Sequence, residues 1–507
     1  MDKYKTSNVS FLQFKINNKK LYITVNKINL SNVFQLFIFS GLTICSVSDG
    51  FIFGQMSGMV DALRGKENGL SLNDGDISWI ASTINATCIF GFVLAGMVTE
   101  KVGRRRAIAI LSLPMILTWI MLYFAESFAI LVASRVIVGI SYGGVILLTY
   151  VTTAEYTTTK QRAAFVTIVT AVGPSIGTAL GHVLSILMHW RTVALIGIIP
   201  TTLSIVLPLF WVESPSWLAS KGRFEESMAA YRELHGRSEA TEVELKLLVN
   251  FEKTKQKEFT PNKKLYLSML EKIILALKQM YFWKISLLVA VISVYRVAGG
   301  RILYNTLAIT MLQEMTKNSN ILMSTLLVDG FIVTGSILPV YLFRKMKTRT
   351  LLFLFGLTSN IALIVLSACL YYIPRENVYF AWVCSSLLAF YFIIAYAGPY
   401  AVLELLLSEL YPLELKSFCT FFYGTFAGFA TFLSIKLAPT MFDSMGYHGV
   451  FLLNATIVFL CLGYLWFYLP ETKGRTLQEI EQYFRNGNFD NDTDLNLEQC
   501  ESEDLVA

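Results

Sequence analysis

Gly96-Met97-Val98-Thr99-Glu100-Lys101-Val102-Gly103-Arg104-Arg105-Arg106 connects two long apolar runs, residues 77–98 and 107–124. Each run is long enough, as a helix, to cross a hydrocarbon core of about 30 Å. The basic connection cannot enter that core, so it joins two antiparallel spans on one side of it. Gly103 permits the tight turn between them. Outward from this loop the same alternation recurs. Apolar runs are read at 34–57, 77–98, 107–124, 128–153, 164–187, 191–212, 283–313, 321–343, 349–373, 380–408, 418–443 and 447–469. The expected fold class is an all-α membrane protein of twelve transmembrane helices in two six-helix bundles.

The composition agrees. Of 507 residues, 54% are hydrophobic and 15% charged, which is unlike a soluble protein. A soluble multidomain enzyme is excluded, and so is nucleic-acid binding as the meaning of the net charge of +6. No nucleophile–base or metal-ligand constellation is visible, so catalysis, a metal or another cofactor is not expected. The seven cysteines are scattered without paired spacing, so neither a disulfide framework nor a metal site is expected.

The chain divides into a segment at 1–33, a six-span half at 34–212, a charged linker at 213–282, a second six-span half at 283–469, and a segment at 470–507. With both termini and the linker cytoplasmic, 33 of the 42 basic residues lie inside, five outside and four within spans. The positive-inside rule selects that orientation. The linker carries Glu and Lys at helical spacing from Glu239 to Glu258 and is expected to form short amphipathic helices. The tail beyond Arg485 has seven acidic residues and no basic one. It reads as solvated and disordered. The sequons at Asn8, Asn85, Asn454 and Asn491 fall in cytoplasmic or membrane segments, so none is expected to carry a glycan.

A weak internal repeat runs through the halves. Glu155 and Arg162 end the fourth span, and Glu409 and Lys416 end the tenth with the same spacing. Glu213-Ser214-Pro215 follows the sixth span, and Glu471-Thr472-Lys473 follows the twelfth. Paired halves rocking about a midplane site are the design of many secondary transporters. Glu155 and Glu213 are the expected partners of the arginines in the basic loop. Such a cluster would latch the cytoplasmic face when the bundle is open outward, and break when it opens inward.

These motifs carry a resemblance. The basic loop, Glu155 to Arg162, Glu213-Ser214-Pro215-Ser216-Trp217-Leu218 with Gly222-Arg223, Ser408-Glu409-Leu410-Tyr411-Pro412, and Pro470-Glu471-Thr472-Lys473-Gly474-Arg475-Thr476 keep the order of the sugar porter branch of the major facilitator superfamily. Within it the sequence resembles the insect facilitated trehalose transporter group. The resemblance implies an alternating-access carrier for sugars; the expected partners are a small-molecule sugar and the lipid bilayer, with no nucleic acid, and a monomer is expected. It also implies a cytoplasmic gate of Glu100, Gly103, Arg104, Arg105, Glu155, Arg162 and Glu213 in one half, and Glu409, Lys416, Glu471 and Arg475 in the other.

The usual sugar-contacting set is replaced. The seventh-span Gln-Gln pair and following Asn of the family align with Tyr295, Arg296 and Arg301. The fifth-span Gln aligns with Thr170, the tenth-span Trp with Glu404, and the eleventh-span Asn-Trp with Ala427-Gly428. The second basic loop, Arg344 to Arg349, lacks the family's acid and glycine. Thr170, Tyr295, Arg296, Arg301 and Glu404 are therefore the candidate substrate-binding residues, with Arg296 and Glu404 expected to pair across the cavity.

Charges at depth are expensive and survive where they pair or face water. Asp49 and Arg135 fall at similar depths, and a contact between them is expected. Proton-coupled members carry an Asp where this chain has Met56, so facilitated transport is the expected activity. A proton-coupled symporter, a carrier of a charged or other polar solute, and a non-transporting nutrient sensor remain open alternatives. Gly139, Gly143 and Gly144 are expected at a close helix contact, Gly398-Pro399 at a bend, and His182 as a polar packing residue.

Overall fold

The structure, a computed structural model, describes residues 9–16, 19–26, 30–65, 72–157, 162–237, 241–242, 244–246, 248–250, 253, 277–316, 320–374, 379–410, 416–475 and 477–486. Most of the 239–258 linker, the acidic tail, and the sequons at Asn8 and Asn491 lie outside these residues.

Two strands open the chain, β1 (Val9–Ile16) and β2 (Lys19–Asn26), paired antiparallel with Val9 opposite Asn26. This hairpin was not expected. Its signal is the alternation of apolar and polar residues in Gln13-Phe14-Lys15-Ile16 and Ile23-Thr24-Val25-Asn26, which the six lysines of the segment obscure.

The first half comprises α1 (Leu30–Arg64), α2 (Asp74–Val102), α3 (Arg104–Tyr123), α4 (Phe128–Tyr156), α5 (Arg162–Thr167), α6 (Gly173–Leu187) and α7 (Trp190–Leu209). A π-helical turn, Ile168–Val172, links α5 to α6, so these form one span. Two linker helices follow, α8 (Pro215–Ser220) and α9 (Phe224–His235). Burial lowers the pKa of His235. Its Nδ1 lies 3.0 Å from Gln35 Nε2, which ties the linker to α1.

The second half comprises α10 (Met280–Ala298), α11 (Arg301–Thr316), α12 (Ile321–Ile337), α13 (Pro339–Lys345), α14 (Thr348–Tyr372), α15 (Phe380–Ala397), α16 (Pro399–Glu409) and α17 (Lys416–Tyr468), followed by α18 (Leu477–Asn486). Pairs α10/α11, α12/α13 and α15/α16 each make one span, and the α15/α16 break falls at Gly398-Pro399 as expected. Eleven stretches among the described residues are long and apolar enough to cross a membrane. The last of them, Phe422–Tyr468, is two spans broken at Gly446. Its first part reaches the α2 N-terminus, where Ser78 Oγ donates to Lys436 O at 2.7 Å. Its second part returns along α14, from Ser367 Oγ donating to His448 O to Arg349 Nη2 donating to Trp466 O, both 2.7 Å. Twelve spans result.

Small residues set close helix contacts. A Cβ on Gly143 of α4 would sit 2.0 Å from Cys88 O of α2, which no side chain tolerates. Large apolar side chains such as Phe90, Leu113, Ile199, Leu460 and Phe467 stand exposed around the bundle, a surface suited to hydrocarbon rather than water.

The apolar core shows how the halves meet. One cluster fills the first half, including Ala107, Ile108 and Tyr156 beside the basic loop, and continues into α11, α12 and α15 of the second half. The C-terminal half's portion nearer the basic loop forms its own cluster, built on α10, α14 and α16. The halves are joined at one end and parted toward the other.

Candidate functional site

Between the halves lies a cavity of about 390 Å³. From the first half it is lined by Asp49, Phe53, Asn85, Tyr142, Tyr150 and Thr170, and from the second by Arg296, Arg301, Asn305, Tyr400, Glu404 and Tyr423. Ala427 and Gly428 also line it. On α1 the lining runs from Ser46 to Phe53, while Ser57 and Asp61, further along, bond across to α11. The cavity therefore lies on the basic-loop side of the closed contact.

The α15/α16 and α10/α11 breaks position the charged centre. Tyr391 donates to Gly299 O at 2.6 Å, and Tyr400 also donates to that oxygen, pinning the turn between α10 and α11. Arg296 precedes this turn and Arg301 follows it. Arg296 Nη2 donates to Glu404 Oε1 at 2.6 Å, and Arg301 Nη1 lies 3.8 Å from the same oxygen. Arg301 also stacks over the Tyr396 ring at 5.2 Å. The side chains of Arg296 and Glu404 are about one third exposed, so both remain in reach of a solute. The expected Arg296–Glu404 contact is present, but on the second half's wall rather than across the cavity.

Tyr295 is a correction. It is 2% exposed and packs in the apolar core of the second half, not on the cavity. One residue along a helix is a rotation of about 100°, enough to turn Tyr295 inward while Arg296 faces the cavity. Thr170 does line the cavity, with its hydroxyl donating to Val166 O at 2.8 Å.

The Asp49–Arg135 contact is absent. Arg135, 1% exposed, donates through Nη2 to Gln55 Oε1 at 3.2 Å and lies 3.1 Å from Met59 Sδ. Asp49 lies on the cavity wall, and its Oδ1 has no hydrogen-bond partner. Gln55 is six residues beyond Asp49, about 9 Å along the helix. The depth reckoning failed because α1 is 35 residues long and overruns the apolar run at both ends.

The basic loop is organised by two carboxylates. Arg104 Nε and Nη2 donate to Glu155 at 2.9 and 2.7 Å, a bidentate pair. Ser214 Oγ donates to Glu155 Oε2 at 2.5 Å. Glu213 Oε1 accepts the backbone N–H groups of Arg104 at 2.8 Å and Ser214 at 3.0 Å, and Arg105 Nε lies 3.7 Å from Oε2. A carboxylate at a helix N-terminus satisfies orphan donors and opposes the helix dipole. Gly103 has φ +91°, which favours glycine, and a Cβ there would meet Glu213 Oε2 at 2.3 Å and displace the carboxylate.

All these partners belong to the first half and the start of the linker that follows it. The cluster is formed while the halves stand apart on its own side, contrary to the expectation that it breaks on opening. Glu100 is a second correction: it is exposed, and among the described residues it makes no ion pair. In the second half, Glu471 accepts the N–H groups of Thr348 and Arg349 at 2.9 and 3.1 Å. Arg475 reaches Glu479 at 3.4 Å rather than Glu471. The side chains of Arg162, Glu409 and Lys416 lie outside the described residues.

Sequence reasoning read His182 as a polar packing residue and did not foresee that it meets Asp329 and Asn305 between the halves, or that Ser57 bonds α11 there. His182 Nδ1 lies 2.9 Å from Asp329 Oδ2. The available signal was a histidine and an aspartate within separate apolar spans.

Known proteins place this architecture. The structure superposes on a proton:xylose symporter, XylE, bound to 6-bromo-6-deoxy-D-glucose, with a TM-score of 0.70 and 17% identity, over 90% of this chain and 100% of that one. The sequence is 27% identical over 421 residues to the facilitated trehalose transporter Tret1 of Drosophila virilis, covering 80% of this chain and 44% of that protein. It is 25% identical over 420 residues to the Tret1 of Polypedilum vanderplanki, covering 81% of this chain and 80% of that protein. The chain thus spans less than half the length of the Drosophila relatives it matches. The family of sugar (and other) transporters matches residues 36–484, nearly all of the two halves and the linker between them, and this chain belongs to that family.

Proposed function

We propose that the chain moves a sugar, trehalose or a hexose, down its concentration gradient across a cell membrane by alternating access, with both termini cytoplasmic. The observation that carries this reading is the cavity between the halves with Arg296, Arg301 and Glu404 on its wall. Its volume of about 390 Å³ is within the range of sites for small ligands, roughly 300–1,000 Å³. Guanidinium and carboxylate groups grip vicinal hydroxyls by charge-assisted hydrogen bonds, and Tyr142 and Tyr400 offer ring faces and hydroxyls. Thr170 and Asn85 add neutral donors and acceptors. The relatives named above as trehalose transporters support the sugar assignment.

Transport by this reading needs no covalent chemistry. A solute entering from the basic-loop side would meet the Arg296–Arg301–Glu404 centre, and the halves would then rock to close behind it. The Arg104–Glu155–Glu213 and Glu471–Thr348 groups brace each half as a rigid body through that motion.

The test is uptake of labelled trehalose and glucose into deenergised vesicles holding the purified protein. Equilibration to the external concentration, competed by sugars, is expected. Accumulation beyond it under an imposed pH gradient would select a proton-coupled symporter. Competition by an amino acid or organic anion and not by sugars would select a charged solute. No uptake of any solute would leave the sensor reading.

A further inference from the structure

The seventh span is broken inside α11, where Leu307 has φ −123° and ψ 15°. In an unbroken helix the Ile309 N–H would donate to Asn305 O. Here both groups bond to the other half. Ile309 N donates to Ser57 Oγ of α1 at 2.9 Å. Asn305 O faces His182 Nε2 of α6 at 3.0 Å. The other ring nitrogen of His182 faces Asp329 Oδ2 of α12 at 2.9 Å, and Tyr304 donates to Asp329 Oδ1 at 3.2 Å. His182 is fully buried and Asp329 is 3% exposed.

The proton count follows from the acceptors. Asn305 O can only accept, so Nε2 must carry a hydrogen. The contact between Nδ1 and Oδ2 also needs one, on either the ring or the carboxyl. The pair therefore holds two protons in this geometry, as imidazolium with carboxylate or as imidazole with carboxylic acid. With one proton, a lone pair would face an acceptor at about 3 Å in a dry site, an arrangement that is strongly unfavourable.

No other charge offers compensation. On α1, residues 50–60 carry none; Asp49, before them, lies on the cavity wall, and Asp61, after them, is bonded by Gln313 at 2.8 Å. From α11 the ionisable groups are Tyr304; Arg301, held by Glu404 and Tyr396; and Glu314, which is exposed. From α15 they are Tyr391, Tyr396 and the buried thiol of Cys384. On α6 and α12, His182 and Asp329 stand alone.

We propose that His182 and Asp329 form a proton-operated clasp between the two halves, closed only when the pair carries two protons. When the halves part at this end, water reaches both groups. The imidazolium then gives up its N–H proton to water above its ordinary pKa of about 6.5, while Asp329 remains a carboxylate. The closed state thus binds one proton more than the parted state at higher pH, and rising pH favours parting. The clasp meets water on the same side each time it parts. A proton bound and released there crosses no membrane, so flux stays downhill while its rate follows the pH of that side. The inference rests on the rocking of the halves and not on the identity of the solute.

The experiment is a distance measurement between spin labels on Glu126→Cys and Tyr372→Cys, exposed positions at this end of the two halves, with native cysteines replaced and the protein in vesicles. No solute is needed, so absence of sugar uptake would not obscure it. The short-distance population should hold from pH 5 to about 6.5, then fall relative to the long-distance one by up to about tenfold per pH unit. His182→Gln and Asp329→Asn should each remove the dependence, and either alone suffices if the other does not fold. A wild-type distribution unchanged to pH 9, or a dependence that survives in the variants, would overturn the proposal.

Discussion

The Glu471 carboxylate accepts the backbone N–H of Thr348 at 2.9 Å, as Glu213 accepts that of Arg104 at 2.8 Å. The parallel extends to the neighbouring arginines: Arg349 donates to Trp466 O at 2.7 Å and Arg105 to Trp211 O at 2.5 Å. The loop from Arg344 to Arg349 lacks the acid and glycine of its counterpart, yet it preserves the helix cap. What recurs between the halves is a carboxylate arriving after the sixth span of each to close the N-terminus of the third.

Glu213→Gln and Glu471→Gln should each destabilise the protein by about 1–2 kcal/mol, the worth of a charge-assisted cap at a partly buried helix end. Thermal unfolding in detergent reads this as a lowered midpoint for both variants. A loss at one end only would contradict the equivalence.

Arg104 and Glu155 have side chains 18% and 17% exposed. A double-mutant cycle with Arg104→Ala and Glu155→Gln should return a coupling of about 1–3 kcal/mol in stability. Because the pair lies within one half, its loss should lower stability in both end states alike. A coupling confined to the outward-open state would restore the latch between halves.

Glu404 is shared by two arginines, so its neutralisation strands both. Glu404→Gln and Arg296→Gln should each raise the KM for uptake by about tenfold, the scale of one charge-assisted hydrogen bond, and alter the order of preference among sugars. Unchanged transport in both would remove these residues from the binding site. Tyr295→Phe should leave the preference order intact.

Gly143→Ala should cost about 1–3 kcal/mol, since α2 and α4 must separate to admit the methyl group. Reduced thermal stability with preserved sugar preference is expected. Full stability would show that α2 and α4 part readily enough to admit a Cβ placed 2.0 Å from Cys88 O.

Much of this was readable along the chain. Apolar runs interrupted by basic loops yielded twelve spans, because the bilayer imposes one length and one polarity on every segment that crosses it. The Arg104 partners were readable because short loops confine charges to one surface. The hairpin at Val9–Asn26 was missed because its alternation is brief and crowded with lysine. The Asp49–Arg135 contact was misjudged because helix ends, not apolar runs, set depth, and α1 overran its run.

The order of the spans, the basic-loop turns and the breaks at Gly398 and Gly446 follow from local chemistry, which the sequence alone determines. Which charges meet was decided only in the folded bundle. A single residue changes a side chain's direction by about 100° and its height by 1.5 Å. Small offsets between packed helices therefore placed Arg296 beside Glu404, turned Tyr295 into the core, and brought His182 to Asp329 from the opposite half.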